Sequence, residues 1–193
     1  FREQAPIRSL GFTSAVAGEG KTLLALMLAS SLANDSAEPV TYIECNWEHP
    51  SIHAYFDLPP TPGLAEWLRG ECAEGDIRHQ VAPNLTVIPA GNGRRDGMKL
   101  LRLLQEGGTA SGLLGESATS AGLTVVELPP VATCAYTPLA VGLVEAVVVV
   151  VRAGVTPEPL VAETCAQIQR APIAGIVLNQ AKSHIPRWLQ GML

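Results

Sequence analysis

Short apolar runs alternate with helix-like runs along the chain, and turn-forming residues separate them. Ile7 to Thr13 reads as a strand, followed by a Gly-rich turn. A helix is predicted from about Thr22 to Asn34, with Leu23, Leu26, Met27 and Leu32 as its apolar face and mostly Ala and Ser between them. Asn34-Asp35-Ser36 ends it, and Pro39 precedes a second strand, Val40 to Cys45. A rigid loop of turn residues, Phe56 to Gly63, leads into a short helix at Gly63 to Leu68. Asn84 to Ala90 is a third strand, stopped by Gly91-Asn92-Gly93, and Met98 to Leu104 is a helix. Leu123 to Leu128 and the Val-rich Ala146 to Arg152 read as buried strands, and Ile173 to Asn179 as the last strand. Between them, Tyr136 to Leu143 has helical character. Pro157 to Arg170 is a helix with Leu160, Val161, Cys165 and Ile168 on one face. Phe1 to Pro6 is a leader without assigned structure, Gly107 to Gly122 holds at most one weak helix, and His184 to Leu193 is a short amphipathic end.

Strand and helix alternate throughout, with no hairpin signal and no internal repeat. That pattern predicts right-handed βαβ units and an α/β fold: a doubly wound, mostly parallel sheet of about six or seven strands with helices on both faces. The length of 193 residues suits a single domain over 1–193.

Composition narrows the classes. Hydrophobic residues make up 47% and charged residues 16%, which describes a globular chain. The net charge is −5 and there is no basic tract, which argues against a nucleic-acid surface. Even the Val-rich run Ala146 to Val151 is far too short to span a bilayer. The first residue is Phe1, so the chain is expected to be a piece of a longer one, with any upstream targeting or membrane segment out of view. Cys45, Cys72, Cys134 and Cys165 lack metal-ligand spacing and read as small apolar fillers in a reducing compartment. His49 and His53 are four apart beside Pro50, without a further ligand type nearby.

The candidate chemistry lies in Thr13-Ser14-Ala15-Val16-Ala17-Gly18-Glu19-Gly20-Lys21-Thr22, between a strand and a helix. A Gly-rich turn ending in Lys-Thr in that setting cradles phosphates on backbone N–H groups. Gly18 and Gly20 allow close approach to an anion, Lys21 would reach the β- and γ-phosphates, and the Thr22 hydroxyl would ligate Mg²⁺. The strict pattern wants Gly where Ala15 stands. The expected ligand is ATP or ADP with Mg²⁺. The candidate nucleotide-binding set is Ala17, Gly18, Glu19, Gly20, Lys21, Thr22 and Leu23. Glu44 and Asn46 fall at the carboxyl end of the second strand, the edge that faces the ligand crevice in an open parallel sheet.

These segments resemble one family from end to end: the cytoplasmic domain of bacterial tyrosine kinases of capsule and exopolysaccharide synthesis, within the P-loop ATPases that include the MinD and ParA proteins. The loop resembles T-S-A-x-P-G-E-G-K-[ST], where Ala in place of the first Gly is usual. Tyr42 to His53 resembles L-I-D-x-D-x-R-R-P-S-x-H, continued by Leu58-Pro59 and Pro62-Gly63-Leu64. Val125-Val126-Glu127-Leu128-Pro129-Pro130 resembles I-I-D-T-P-P. Asn84 to Gly91, Val150 to Thr156 and Gly175 to Asn179 match further strands. By that resemblance Asn179 contacts adenine. The partner it implies is a membrane polysaccharide co-polymerase, fused upstream or separate, with the domain at the inner face of the bacterial membrane and assembled as a homo-oligomer.

The departures bear on catalysis. The family's first Asp after the second strand, an organiser of Mg²⁺, is Glu44 here. Its second Asp, the proposed base that takes the tyrosine proton, is Asn46. The metal-supporting Asp before Thr-Pro-Pro is Glu127, and the basic pair is Glu48-His49. An amide has no proton-accepting role near neutral pH, and losing a general base costs roughly a hundred- to ten-thousandfold in rate. The extra methylene of Glu moves a carboxylate by about 1.5 Å, and misplacement by about 1 Å can cost on the order of a hundredfold. The candidate catalytic set is therefore Lys21 with the altered positions Glu44 and Asn46, and the candidate metal set is Thr22 with Glu44 and Glu127. The expected function is a nucleotide-binding regulatory or assembly module with impaired phosphotransfer. The alternatives are a working tyrosine autokinase, a MinD/ParA-like positioning ATPase (though Val16 stands where such proteins carry an extra lysine), and a nucleotide-free scaffold.

Overall fold

The parallel core of the fold is built on buried valine-rich strands in the computed structural model, which describes residues 7–106 and 122–182. The strands are β1 (Ser9–Ser14), β2 (Val40–Glu44), β3 (His79–Ala82), β4 (Leu85–Ile88), β5 (Leu123–Glu127), β6 (Ala146–Arg152) and β7 (Ile173–Asn179). They form one seven-stranded sheet in the order β3-β4-β2-β5-β1-β6-β7. The helices among the described residues are α1 (Lys21–Asp35), α2 (Ile52–Tyr55), α3 (Leu64–Leu68), α4 (Gly97–Glu106), α5 (Thr137–Ala140) and α6 (Glu158–Gln167), with 3₁₀ turns at Glu74–Asp76 and Val141–Leu143. The expected doubly wound α/β architecture is what the chain adopts.

Side chains alternate across the sheet and feed two apolar layers. Tyr42, Val125 and Val150 pack with Phe12 and with Ala25, Leu26, Ala29 and Ala33 of α1. On the opposite face Ile43, Val126, Val147 and Val149 pack with Leu64 of α3 and Leu100, Leu101 and Leu104 of α4. The cysteines are all free, with Cys45 and Cys134 buried and Cys72 and Cys165 partly so. No helix of the described residues is long and apolar enough to cross a membrane.

Two expectations are corrected. The first is the absence of a hairpin. β3 pairs antiparallel with β4, and only Pro83 and Asn84 separate them. Pro-Asn is not one of the Asn-Gly or Asp-Gly pairs that announce a tight hairpin, and β3 is a short edge strand of half-buried residues that carries little apolar pattern. The second is the buried face of α1. Leu23 and Met27 are 51% and 58% exposed, whereas Ala25, Ala29 and Ala33 lie against the sheet. Close approach of helix to sheet selects small side chains, and the larger ones turn outward. The leader, most of Gly107 to Gly122 and the C-terminal end from His184 lie outside the described residues.

Replacement of Ala29 by Leu should therefore lower stability by about 1–3 kcal/mol through overpacking. Met27→Gln should stay within about 0.5 kcal/mol. Urea unfolding of the two variants against the wild type checks the assignment of the faces.

Candidate functional site

The loop between β1 and α1 is held from both flanks. Ser14 Oγ donates to the Val16 carbonyl at 2.8 Å, and the Ala132 N–H donates to the Ala15 carbonyl at 3.0 Å. Glu19 is buried and braces the loop against β6. Its carboxylate accepts from the Val16 N–H at 2.9 Å, from the Arg152 N–H at 3.3 Å and from the Thr156 hydroxyl. Asn179, at the end of β7, donates through Nδ2 to the Glu19 carbonyl at 2.8 Å. It lies so close to Gly20 that a Cβ there would collide with that nitrogen.

Gly18 and Gly20 have φ of 83° and 92°, left-handed values open to glycine. The N-terminus of α1 has no side-chain cap and no acidic residue in its first turn, so the positive end of the helix dipole is left for an anion. Open space surrounds Gly18 on the side where a Cβ would point. The loop therefore fits a polyphosphate.

At the neighbouring strand end the side chains converge on one acid. Glu127 closes β5 and is fully buried. Its Oε1 accepts from Lys21 Nζ at 2.5 Å, Thr22 Oγ1 at 2.8 Å and Asn46 Nδ2 at 3.2 Å. Its Oε2 accepts from the Tyr42 hydroxyl at 2.6 Å. Burial first, and the Glu127 charge second, hold the Tyr42 phenol well above its usual range. For Mg²⁺ the donors that fit together are the Thr22 hydroxyl and the Glu127 carboxylate.

Glu44 has a different set of partners. One oxygen accepts from the Ser51 N–H at 2.6 Å and the Ile52 N–H at 3.1 Å, and the other from the Ala90 N–H at 3.1 Å. It thus ties the start of α2 and the end of β4 to β2. Asn46 donates to the His49 carbonyl and to Glu127, each at 3.2 Å, and its buried Oδ1 has no partner among the described residues. Trp47 is buried beside Tyr136, with ring centroids 5.9 Å apart, as a packing residue. His49 and His53 line an open cavity with Glu48 and Arg94, and no group of three or more potential metal ligands occurs among the described residues.

Of the residues singled out from sequence, Lys21, Thr22, Asn46 and Glu127 meet at one point. Asn179 joins the loop through Glu19, while Glu44 faces backbone amides, and Leu23 is exposed on α1. Tyr42 was not among them. The available signal was a phenol in the middle of a buried strand, whose hydroxyl needs a polar partner.

A mostly parallel sheet with this loop between β1 and α1 defines the chain as a P-loop fold of the MinD/ParA-like class. Within that class it resembles bacterial tyrosine kinase domains. It is 32% identical over 113 residues to the tyrosine-protein kinase ptk of Acinetobacter johnsonii, a stretch that is 58% of this chain and 15% of that protein. The kinase domain of the Escherichia coli tyrosine kinase ETK superposes with a TM-score of 0.82 at 21% identity, over 93% of this chain and 70% of that one. The VpsO kinase domain gives a TM-score of 0.79 at 26% identity, over 91% and 86%. A Cyanothece McdA variant in complex with ATP gives 0.69 at 17% identity, over 94% and 75%. No protein-family profile matches the chain.

Burial raises the Glu44 carboxyl to about 7, helped by the nearby Glu127 charge and opposed by the Ser51, Ala90 and Ile52 N–H groups. An acid raised in this way keeps its proton in the folded state at pH values where the unfolded chain has lost it. Stability should therefore fall as pH rises from about 4.5 towards about 7, by about 3 kcal/mol, and level off above. Denaturant titrations at pH 5 and pH 8 should register this drop in the wild type and find it abolished in Glu44→Gln.

Proposed function

We propose that this chain is a nucleotide-binding module of a bacterial polysaccharide-synthesis system, similar to the tyrosine kinase domains but impaired in phosphotransfer. It takes ATP or ADP with Mg²⁺ at Ala17 to Leu23, with Asn179 beside the adenine end. Bound nucleotide biases self-association and the contact with a membrane polysaccharide co-polymerase, at the inner face of the membrane. The observation that carries this reading is the division of the two acids. The phosphate loop keeps its glycines, Lys21 and Thr22, while Glu44 is engaged by three backbone N–H groups and Glu127 by four side chains.

When bound, Mg²⁺ neutralises phosphate charge. The residues here would bind and orient that charge: the loop N–H groups and Lys21 hold the phosphates, and Thr22 with Glu127 faces the metal. Nothing at Asn46 takes a proton from a tyrosine hydroxyl. Its amide nitrogen points to Glu127, and its oxygen is a far weaker base than a carboxylate. A working autokinase is the second reading, favoured by the 2.8 Å contact that brings the Glu127 carboxylate to the Thr22 hydroxyl.

Calorimetry should give micromolar binding of ADP with Mg²⁺, while purified protein with ATP yields neither phosphotyrosine nor phosphate above background. Robust autophosphorylation would exclude the impaired reading. Asn46→Asp alone should gain little, because the new carboxylate would lie about as close to Glu127 as the present 3.2 Å amide contact. Asn46→Asp combined with Glu127→Asp should raise phosphotransfer by at least about a hundredfold if the missing base is the main defect.

A further inference from the structure

Lys21 is the cation of the phosphate loop, and an acid of the same chain already neutralises it. Its ammonium and the Thr22 hydroxyl, the two side chains that would meet phosphate and metal, both donate to a single oxygen, Glu127 Oε1, at 2.5 and 2.8 Å. Lys21 is 7% exposed and Glu127 is fully buried, so solvent does little to screen the pair. The Tyr42 hydroxyl holds the other oxygen at 2.6 Å from within the core. The carboxylate is thus anchored from below by β2 and pressed against the loop from β5.

We infer that Glu127 is an internal competitor for the phosphate cradle, positioned by Tyr42, and that it makes the chain select metal-bound over metal-free nucleotide. This inference rests on the nucleotide-binding reading above. A phosphate oxygen approaching Lys21 meets the Glu127 charge on the same ammonium, and two anions at one buried cation repel. Entry of a metal-free nucleotide requires breaking the Lys21–Glu127 pair with no replacement cation, which leaves the buried carboxylate only neutral donors. A divalent cation removes that obstacle, because Glu127 and the phosphates can share it while Lys21 turns to the nucleotide. Tyr42 acts here as a positioning residue, since its hydroxyl fixes which way the carboxylate points.

The test is calorimetric titration of the 193-residue chain with ADP, once with Mg²⁺ and once with EDTA. Wild-type protein should bind ADP at least tenfold more weakly in EDTA. Glu127→Gln removes the charge and should raise metal-free affinity at least tenfold, largely erasing the Mg²⁺ requirement. Glu127→Asp keeps a charge to balance Lys21 but withdraws it by about 1.5 Å. It should also bind metal-free ADP more tightly than wild type, and it guards against a Gln variant that fails to fold. Tyr42→Phe should give a smaller gain in metal-free affinity, of a few fold, with the melting curve of each variant confirming that it is folded. If wild type binds Mg²⁺–ADP and neither folded Glu127 variant binds metal-free ADP more tightly, the competitor role is wrong and the nucleotide-binding reading stands. If no variant binds ADP under either condition, both fall.

Discussion

A carboxylate without solvent access needs donors, and the ends of three consecutive parallel strands here are organised around supplying them. An ion buried without partners costs several kcal/mol, so the position of Glu127 constrains everything around it. Because β5 lies between β2 and β1, its last residue is flanked on both sides. From the first turn of α1, which follows β1, come Lys21 and Thr22. From β2 and its exit come Tyr42 and Asn46. Tyr42 is register partner to Val125, two residues before Glu127 on the same face of β5, so phenol and carboxylate are diagonal neighbours across the ladder. The sheet order therefore gathers these four donors at one side chain.

Glu44 shows how a second acid can sit beside the first. Glu44 and Glu127 are register partners across β2 and β5, and both are fully buried. Two like charges side by side are unfavourable. The conflict is eased by directing them to different partners. Glu127 takes a cation and polar side chains, while Glu44 takes the N–H groups of Ser51, Ile52 and Ala90. Glu44 accordingly does the work of a helix cap and a loop tie, which binds the region after β2 to the end of β4.

The strand–loop–helix opening and the parallel sheet were legible because their signals are local: valine-rich runs, a glycine pair at the turn, and Lys-Thr at the helix start. What escaped depends on contacts across the fold. The β3–β4 hairpin has a Pro83-Asn84 connection and a weakly patterned edge strand, so tertiary pairing decides it. On α1 size decides the buried face ahead of hydrophobicity: Ala25, Ala29 and Ala33 fit against the sheet where Leu23 and Met27 do not. The acids at the ends of β2 and β5 were visible as departures from a pattern. Which of them would meet Lys21, and which would meet backbone amides, follows from sheet order and register alone.

The two Asp-to-Glu departures thus differ in consequence although the chemical change is the same. A methylene adds about 1.5 Å of reach. At β2 that reach carries the carboxylate to N–H groups at the start of α2 and at the end of β4. At β5 it carries the carboxylate into the loop, onto Lys21 and Thr22 themselves. One carboxylate ties backbone segments together and the other sits against the loop lysine. A cradle that can be preserved residue by residue while its charge balance is altered from a neighbouring strand is better read from the partners of its lysine than from its glycine pattern.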